Sequence, residues 1–226
     1  MGLLSDAKNI RNTDPAGTSL AQVLLLYPGF QILIFHRVAH WLYRHRRFFL
    51  ARMVSQWGRG FTGIEIHPGA QIGDNLFIDH GAGVVIGETA EVGNHVTIYH
   101  GVTLGGTGKD KGKRHPTVED DVLLGAGVKV LGPVVIGARS RVGANSTVLS
   151  DVPCDSTAVG SPAVVVRTRR EGEPCAPSGE LDQRDFPNII DRRITELERK
   201  LARLEKQESR RAKWEDNDLP DDLLGD

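Results

Sequence analysis

The chain has 226 residues, of which 39% are hydrophobic and 25% charged, and its formal net charge is −1. That length supports one core with appendages rather than two full domains, and the charge balance removes any global argument for nucleic acid. Aromatic residues make up 6% while glycine numbers 26, which favours a core of small aliphatic side chains interrupted by tight turns.

The start, MGLLSDAKN, lacks the basic-then-apolar order of a secretory signal. The apolar run from Leu20 to Phe35 is broken by Pro28, Gly29 and Gln31. It falls short of the roughly 18–20 apolar residues of a membrane span. The two cysteines, Cys154 and Cys175, show no CxxC or metal-type spacing, as in a chain kept in a reducing compartment. A cytoplasmic protein with no membrane partner is expected.

Residues 1–60 read as a helical part. Leu20, Val23 and Leu24 share one helical face; Phe30, Leu33, Ile34, Val38, Trp41 and Leu42 share another, with Pro28-Gly29 dividing them. Asp14-Pro15 fits a helix N-cap followed by proline at the first helical position.

A repeat dominates residues 61–166. Aliphatic residues recur every six positions at Ile66, Ile72 and Ile78, resume after a two-residue phase shift at Ile86, Val92, Ile98 and Leu104, and return from Val118 to Val148. Neither a helix nor an ordinary strand has that period. It fits a coil of three short faces, about 18 residues per turn, whose stacked strands pair in parallel. Glycine follows the aliphatic residue at 73, 87, 93, 105, 125, 137 and 143, and is expected to permit the turn at each corner. Residues 105–117, GGTGKDKGKRHPT, break the period. They read as a polar excursion of the kind that carries function.

After the repeat, SPAVVV closes the solenoid and residues 167–187 are a linker by composition. Residues 188–213 read as a C-terminal helix in which Ile190, Ile194, Leu197, Leu201 and Leu204 alternate steps of four and three. This heptad seam fits either packing on its own domain or self-association as a coiled coil. The tail, 214–226, has six acids and no base from Glu215 onward and is expected to be disordered.

The chemistry lies in four segments: TGIEIHPGAQIG at 62–73, FIDHGAGVVIGETA at 77–90, VTLGGTGK at 102–109 and KRHP at 113–116. An imidazole can serve as a general base at neutral pH. His80, just past an inward Ile78, sits at a coil corner where its ring can reach a cleft. Glu65, 15 residues earlier, lies roughly one coil below, pointing outward. Asp79 occupies a corner slot that usually holds glycine, which its tolerance of left-handed backbone alone would explain.

Together with DPAG at 14–17 and HRVAHWLY at 36–43, these segments closely resemble the serine acetyltransferases, within the hexapeptide-repeat acyltransferases, over roughly residues 6–166. The resemblance implies a left-handed parallel β-helix and transfer of acetyl from acetyl-CoA to L-serine, the first step of cysteine biosynthesis. It implies that His80 is the base and Glu65 the carboxylate that orients it, where many relatives carry Asp. Asp79 would then contact the serine amine, with Arg114 and His115 gripping its carboxylate, and Asp14 would stand in the serine site. Gly106, Thr107, Ala126, Ala144 and Arg141 would lie along acetyl-CoA, a co-substrate, with no permanently bound cofactor and no metal. Val164 stands where many relatives have a base after Pro-Ala; Arg167 is the substitute at hand. GGTGK fails the phosphate-loop pattern because Thr103 and Asp110 stand at its ends.

The family's site lies between subunits, which implies a homotrimer, with a dimer of trimers left open. Relatives also dock a tail ending in Ile into cysteine synthase; this chain ends LLGD, which argues against a stable complex. Three other readings compete. One is an acetyltransferase of sugar or antibiotic hydroxyls on the same solenoid. Another is a zinc-dependent carbonic anhydrase built from His95 and His100. The third is a non-catalytic scaffold.

Overall fold

The computed structural model describes residues 2–16, 19–108, 112–168 and 189–217. It divides into two units, 1–186 and 187–226. The linker residues 169–188, the tail from 218 and loop residues 109–111 lie outside the described residues.

Four helices open the first unit: α1 (Leu3–Thr13), α2 (Leu20–Leu26), α3 (Pro28–Arg44) and α4 (Phe48–Thr62). The Ser19 hydroxyl accepts the Gln22 N–H and starts α2, and Pro28 stands in the first turn of α3. A left-handed Gly63, φ 72°, ends α4. Buried Asp6 of α1 receives the Asn75 N–H at 3.0 Å and the Arg37 guanidinium, tying the helices to the first coil. The expected N-cap at Asp14 is not what forms. Asp14 is the C-cap residue of α1, its N–H bonded to the Ile10 carbonyl, and its Oδ1 accepts the Ala16 N–H at 2.8 Å.

The solenoid follows as three parallel sheets, one per face. The first stacks β1 (Glu65–Ile66), β4 (Val85–Ile86), β7 (Thr103–Gly105), β10 (Lys129–Leu131) and β13 (Thr147–Val148). The second stacks β2 (Gln71–Ile72), β5 (Glu91–Val92), β8 (Thr117–Val118) and β11 (Val135–Ile136). The third stacks β3 (Phe77–Asp79), β6 (Thr97–Tyr99), β9 (Leu123–Leu124), β12 (Arg141–Val142) and β14 (Ser156–Gly160), and β15 (Ala163–Thr168) returns antiparallel along β14. The hexapeptide aliphatics point inward: Ile66, Ile86, Leu104, Val130 and Val148 are buried one above another. The architecture is the parallel β-helix expected from the period of six.

The glycines do a different job from the one expected. A Cβ on Gly73 would stand 2.6 Å from the Gly93 carbonyl oxygen, and one on Gly125 would stand 2.7 Å from the Ala144 nitrogen. They permit close stacking of successive coils, whereas the left-handed corners fall elsewhere. One corner is a column of Asn75, His95, Asp121, Arg139 and Asp155, all with φ between 54° and 59°. Asn and Asp suit that region because their short polar side chains offset its steric cost.

The phase shift also acquires a physical form. Glu65 lies opposite Val85, a step of 20, and Val85 opposite Thr103, a step of 18. The two extra residues fall at the corner between β3 and β4, where His80 (φ 59°) and Gly81 (φ 68°) are both left-handed. Asp79 is therefore not the corner residue; it ends β3 in extended backbone, and His80 takes the strained position.

The second unit contains α5 (Ile189–Asn217). It extends past the expected helix end at 213 into the first residues of the acidic tail.

Candidate active site

Most of the residues singled out in the sequence gather at two corners of the solenoid, at opposite ends of β4, while Glu65 and Arg141 stand on strands. The first corner, leading into β4, carries His80. A Cβ at Gly81 would stand 2.3 Å from Ile64, so the His80-Gly81 bulge lies directly on the core, and only glycine fits its second position. That placement throws the His80 ring outward, with 79% of the side chain exposed. Its Nε2 is 3.9 Å from Asp79 Oδ1, and its ring meets the His100 ring edge-on at 6.2 Å.

Asp79, Asp14 and Tyr27 face the same corner. Burial pushes the Asp79 carboxyl up, His80 opposes that, and the Asp14 charge adds to it. The Tyr27 hydroxyl donates to Asp14 Oδ2 at 2.7 Å. Its pKa is pushed up to about 12, first by that bond, then by burial and by the charges of Asp14 and Asp79. Asp14 and Asp79 both push the Tyr27 hydroxyl up, so the two carboxylates give this corner a negative charge that an ammonium group would neutralise.

Glu65 lies on β1 across the first corner. Its N–H bonds the Val84 carbonyl at 2.9 Å, and the adjoining Gly63 carbonyl accepts from Gly83. Its carboxylate is held by Arg59 at 3.1 Å and Arg52 at 3.8 Å. No hydrogen bond or ion pair joins it to His80 among the described residues.

The second corner, beyond β4, receives the end of the excursion. Thr89 organises it. Its hydroxyl oxygen accepts the Arg114 N–H at 3.0 Å and the His115 N–H at 3.1 Å, and lies 2.9 Å from His115 Nδ1. The Thr89 N–H also points at that Nδ1, at 3.2 Å. A nitrogen that accepts an N–H carries no proton, so the Thr89 hydroxyl donates to it as well, and the neutral ring keeps its hydrogen on Nε2. His115 is only 8% exposed. Burial first, then Arg114, hold its pKa down, with Glu88 opposing and Lys113 assisting.

Arg114 pairs with Glu88 at 2.6 Å, and Glu88 is held from the other side by the Tyr43 hydroxyl of α3 at 3.1 Å. Lys113 donates to the Thr89 carbonyl at 2.8 Å and pairs with Glu91 at 3.0 Å. Gly106, Thr107 and Gly108 join Arg114 and His115 around a cavity of about 180 Å³. A Cβ on Gly106 would crowd His115 Nε2 at 3.2 Å, so the Nε2–H faces the glycine backbone.

The residues expected along acetyl-CoA divide in the same way. Gly106 and Thr107 belong to the second corner. Ala126 belongs to the first: Gly127 beside it donates to the His100 carbonyl, and its own carbonyl accepts from Asn145. Ala144 packs against Gly125 one coil below, and Arg141 stands on β12 opposite Leu123. In one chain the two corners are separated by β4 and its flanks, from Gly83 to Gly87, about 13 Å at the usual rise per residue.

Sequence reasoning missed Thr89, Glu88, Tyr27 and Tyr43, and gave His100 only a zinc role. GET directly after inward Ile86 was the available signal, since it places two polar side chains at a corner. His95 and His100 flank β6 at opposite ends, and no group of three or more His, Cys, Asp or Glu among the described residues could hold a metal ion. Nor is any single helix among them long and apolar enough to cross a membrane.

The family model for the bacterial transferase hexapeptide (six repeats) matches residues 115–150. A serine acetyltransferase of Bacillus licheniformis is 51% identical over 219 residues, covering 95% of this chain and 97% of its own. A soybean serine acetyltransferase complexed with serine is 48% identical with a TM-score of 0.71, over 73% of this chain and 68% of that one. A Brucella abortus serine acetyltransferase in complex with coenzyme A is 42% identical with a TM-score of 0.70, over 73% and 66%.

Proposed function

The chain belongs to the serine acetyltransferase family, and from that premise we propose that it transfers acetyl from acetyl-CoA to the hydroxyl of L-serine at a groove shared by two copies. The observation that carries the reading is the division of the site between two corners. The first corner offers negative charge for an ammonium and an accessible imidazole; the second offers the Arg114 guanidinium, a neutral His115 and a glycine-lined cavity. Neither alone could seat both substrates. A second copy that brings its second corner to the first corner of its neighbour completes each site, and threefold closure makes every copy serve twice.

In the completed groove the serine ammonium lies against Asp79 and Asp14, and its carboxylate accepts from His115 Nε2–H and from Arg114. His80 removes the hydroxyl proton as the oxygen attacks the thioester carbonyl. Backbone N–H groups near Gly106 steady the tetrahedral oxyanion. On collapse the C–S bond breaks, and His80 returns its proton to the departing thiolate. The products are O-acetyl-L-serine and CoA. Glu65 is the carboxylate assigned to steady the imidazolium, and it reaches His80 by giving up part of its pairing with Arg59 and Arg52. Acetyl-CoA enters as a co-substrate, its chain along Thr107, Ala126 and Ala144 with Arg141 near phosphate. The reaction belongs in the cytoplasm, where acetyl-CoA and free serine meet.

Thiol release from acetyl-CoA, measured across a panel of amino acids and galactosides, tests the reading. L-Serine is expected to give the highest kcat/KM, and His80→Ala is expected to lower it by about 10²–10⁴-fold with little change in melting temperature. A sugar acceptor outpacing serine, or a normal rate for His80→Ala, would overturn it.

A further inference from the structure

The helix α5 carries an apolar seam with a charge pattern that fixes what can cover it. Ile194, Leu197, Leu201 and Leu204 are 48–63% exposed, although each is a residue that normally seeks burial. Their spacing assigns Ile194 and Leu201 to heptad position a, and Leu197 and Leu204 to position d. Lys200 then falls at position g, and Glu198 and Glu205 at position e; the g position one heptad earlier is Arg193.

In a parallel pair of identical helices, position g of one chain meets position e of the other five residues further on. Here that brings position 200 to 205 and position 193 to 198, each a base against an acid. In an antiparallel pair g meets g and e meets e, so bases meet bases and acids meet acids. An apolar groove on another protein would satisfy the leucines but leave this two-sided pattern without purpose. Within a single helix Lys200 is paired with Glu196 at 2.9 Å, one turn back, with both side chains exposed; an exposed pair of that kind is weak, so Lys200 is free to exchange it for Glu205 of a neighbour.

We propose that α5 forms an in-register, parallel coiled coil with the α5 helices of other copies of this chain. Position a holds Ile194 and Leu201, and position d holds Ile190, Leu197 and Leu204, so each mixes Ile with Leu and the number of strands follows from the solenoid rather than from the seam. Two heptads are short for a free-standing coil, but copies already joined through their solenoids hold them at high effective concentration. That last step rests on the oligomer proposed above; orientation and register rest on α5 alone.

Cysteine crosslinking in the full chain tests it. With Cys154 and Cys175 replaced by Ser, Leu204→Cys places a thiol at a d position, and Ala202→Cys places one on the outer face. Under mild oxidation the 204 variant is expected to form covalent dimers at least about tenfold faster than the 202 variant, because identical d residues face one another only in a parallel, in-register coil. Adding Lys200→Glu or Glu205→Lys to Leu204→Cys should slow the reaction several-fold, and adding both together should restore it. Equal rates at 204 and 202, or a double charge variant as slow as the singles, would overturn the proposal. Sedimentation of the same chains reads the solenoid separately: a trimer without the crosslink refutes the coil alone.

Discussion

Thr89 is a small residue with a large share of the second corner. One hydroxyl receives two backbone N–H groups of the excursion and fixes the hydrogen of His115 on Nε2. Thr89→Val keeps the shape but leaves those two N–H groups unpaired and the ring free to turn. The expected result is a rise in KM for serine on the order of tenfold, with kcat less affected, since one charge-assisted hydrogen bond is worth about 1.5–3 kcal/mol. Thr89→Ser should recover most of the loss; if Ser fares no better than Val, the hydroxyl is not what matters. The pH dependence follows from the same geometry. His115 has a lowered pKa, so on acidification it stays neutral below the ordinary imidazole range, and its donation to a carboxylate persists. KM for serine should therefore stay level on acidification through the ordinary imidazole range, and a KM that rises across it would contradict the role given to His115. The candidate base, His80, stood out in the sequence through its corner position and the surrounding motif. Thr89 did not, because a hydroxyl acquires this role only when a loop 26 residues away is brought back over it.

At the scale of the element, the repeat shows which parts of a fold a linear pattern can carry. The inward aliphatics were legible because burial acts at every rung with the same period, so each coil repeats the evidence of the last. The role of glycine was misread because it depends on the adjacent coil rather than on its own backbone. Gly125 illustrates the difference: the obstacle to a side chain there is the Ala144 nitrogen at 2.7 Å. That contact is backbone, and no rotamer change can relieve it. Gly125→Ala should therefore lower stability by about 1–3 kcal/mol, the usual cost of overpacking, seen as a lower melting temperature. Unchanged melting would mean that the coils have room to separate. The two-residue phase shift was visible in the sequence as an irregularity. Only the structure shows that it is the His80-Gly81 bulge, held against Ile64 so that the candidate base stands clear of the wall.

For the whole molecule, the decisive observation is that β4 separates the two groups of residues proposed to form the site. Asp14, Asp79 and His80 lie before it; Arg114 and His115 lie after it. A one-chain site would require one half to cross the strand, and both halves are anchored where they are, His80 by the glycine beneath it and His115 by Thr89. Sharing between copies needs no such rearrangement, and it makes a sharp prediction. Chains carrying His80→Ala and chains carrying His115→Ala should each be nearly inactive alone. Unfolded together and refolded as mixed oligomers, they should regain about a quarter of the unmodified activity, because random assembly around a closed ring places an intact first corner beside an intact second corner in one interface of four. Each parent refolded alone controls for recovery, and mixing without unfolding controls for exchange. If the mixture stays as inactive as its parents while its sedimentation matches the unmodified protein, each site belongs to one chain and the shared groove is wrong.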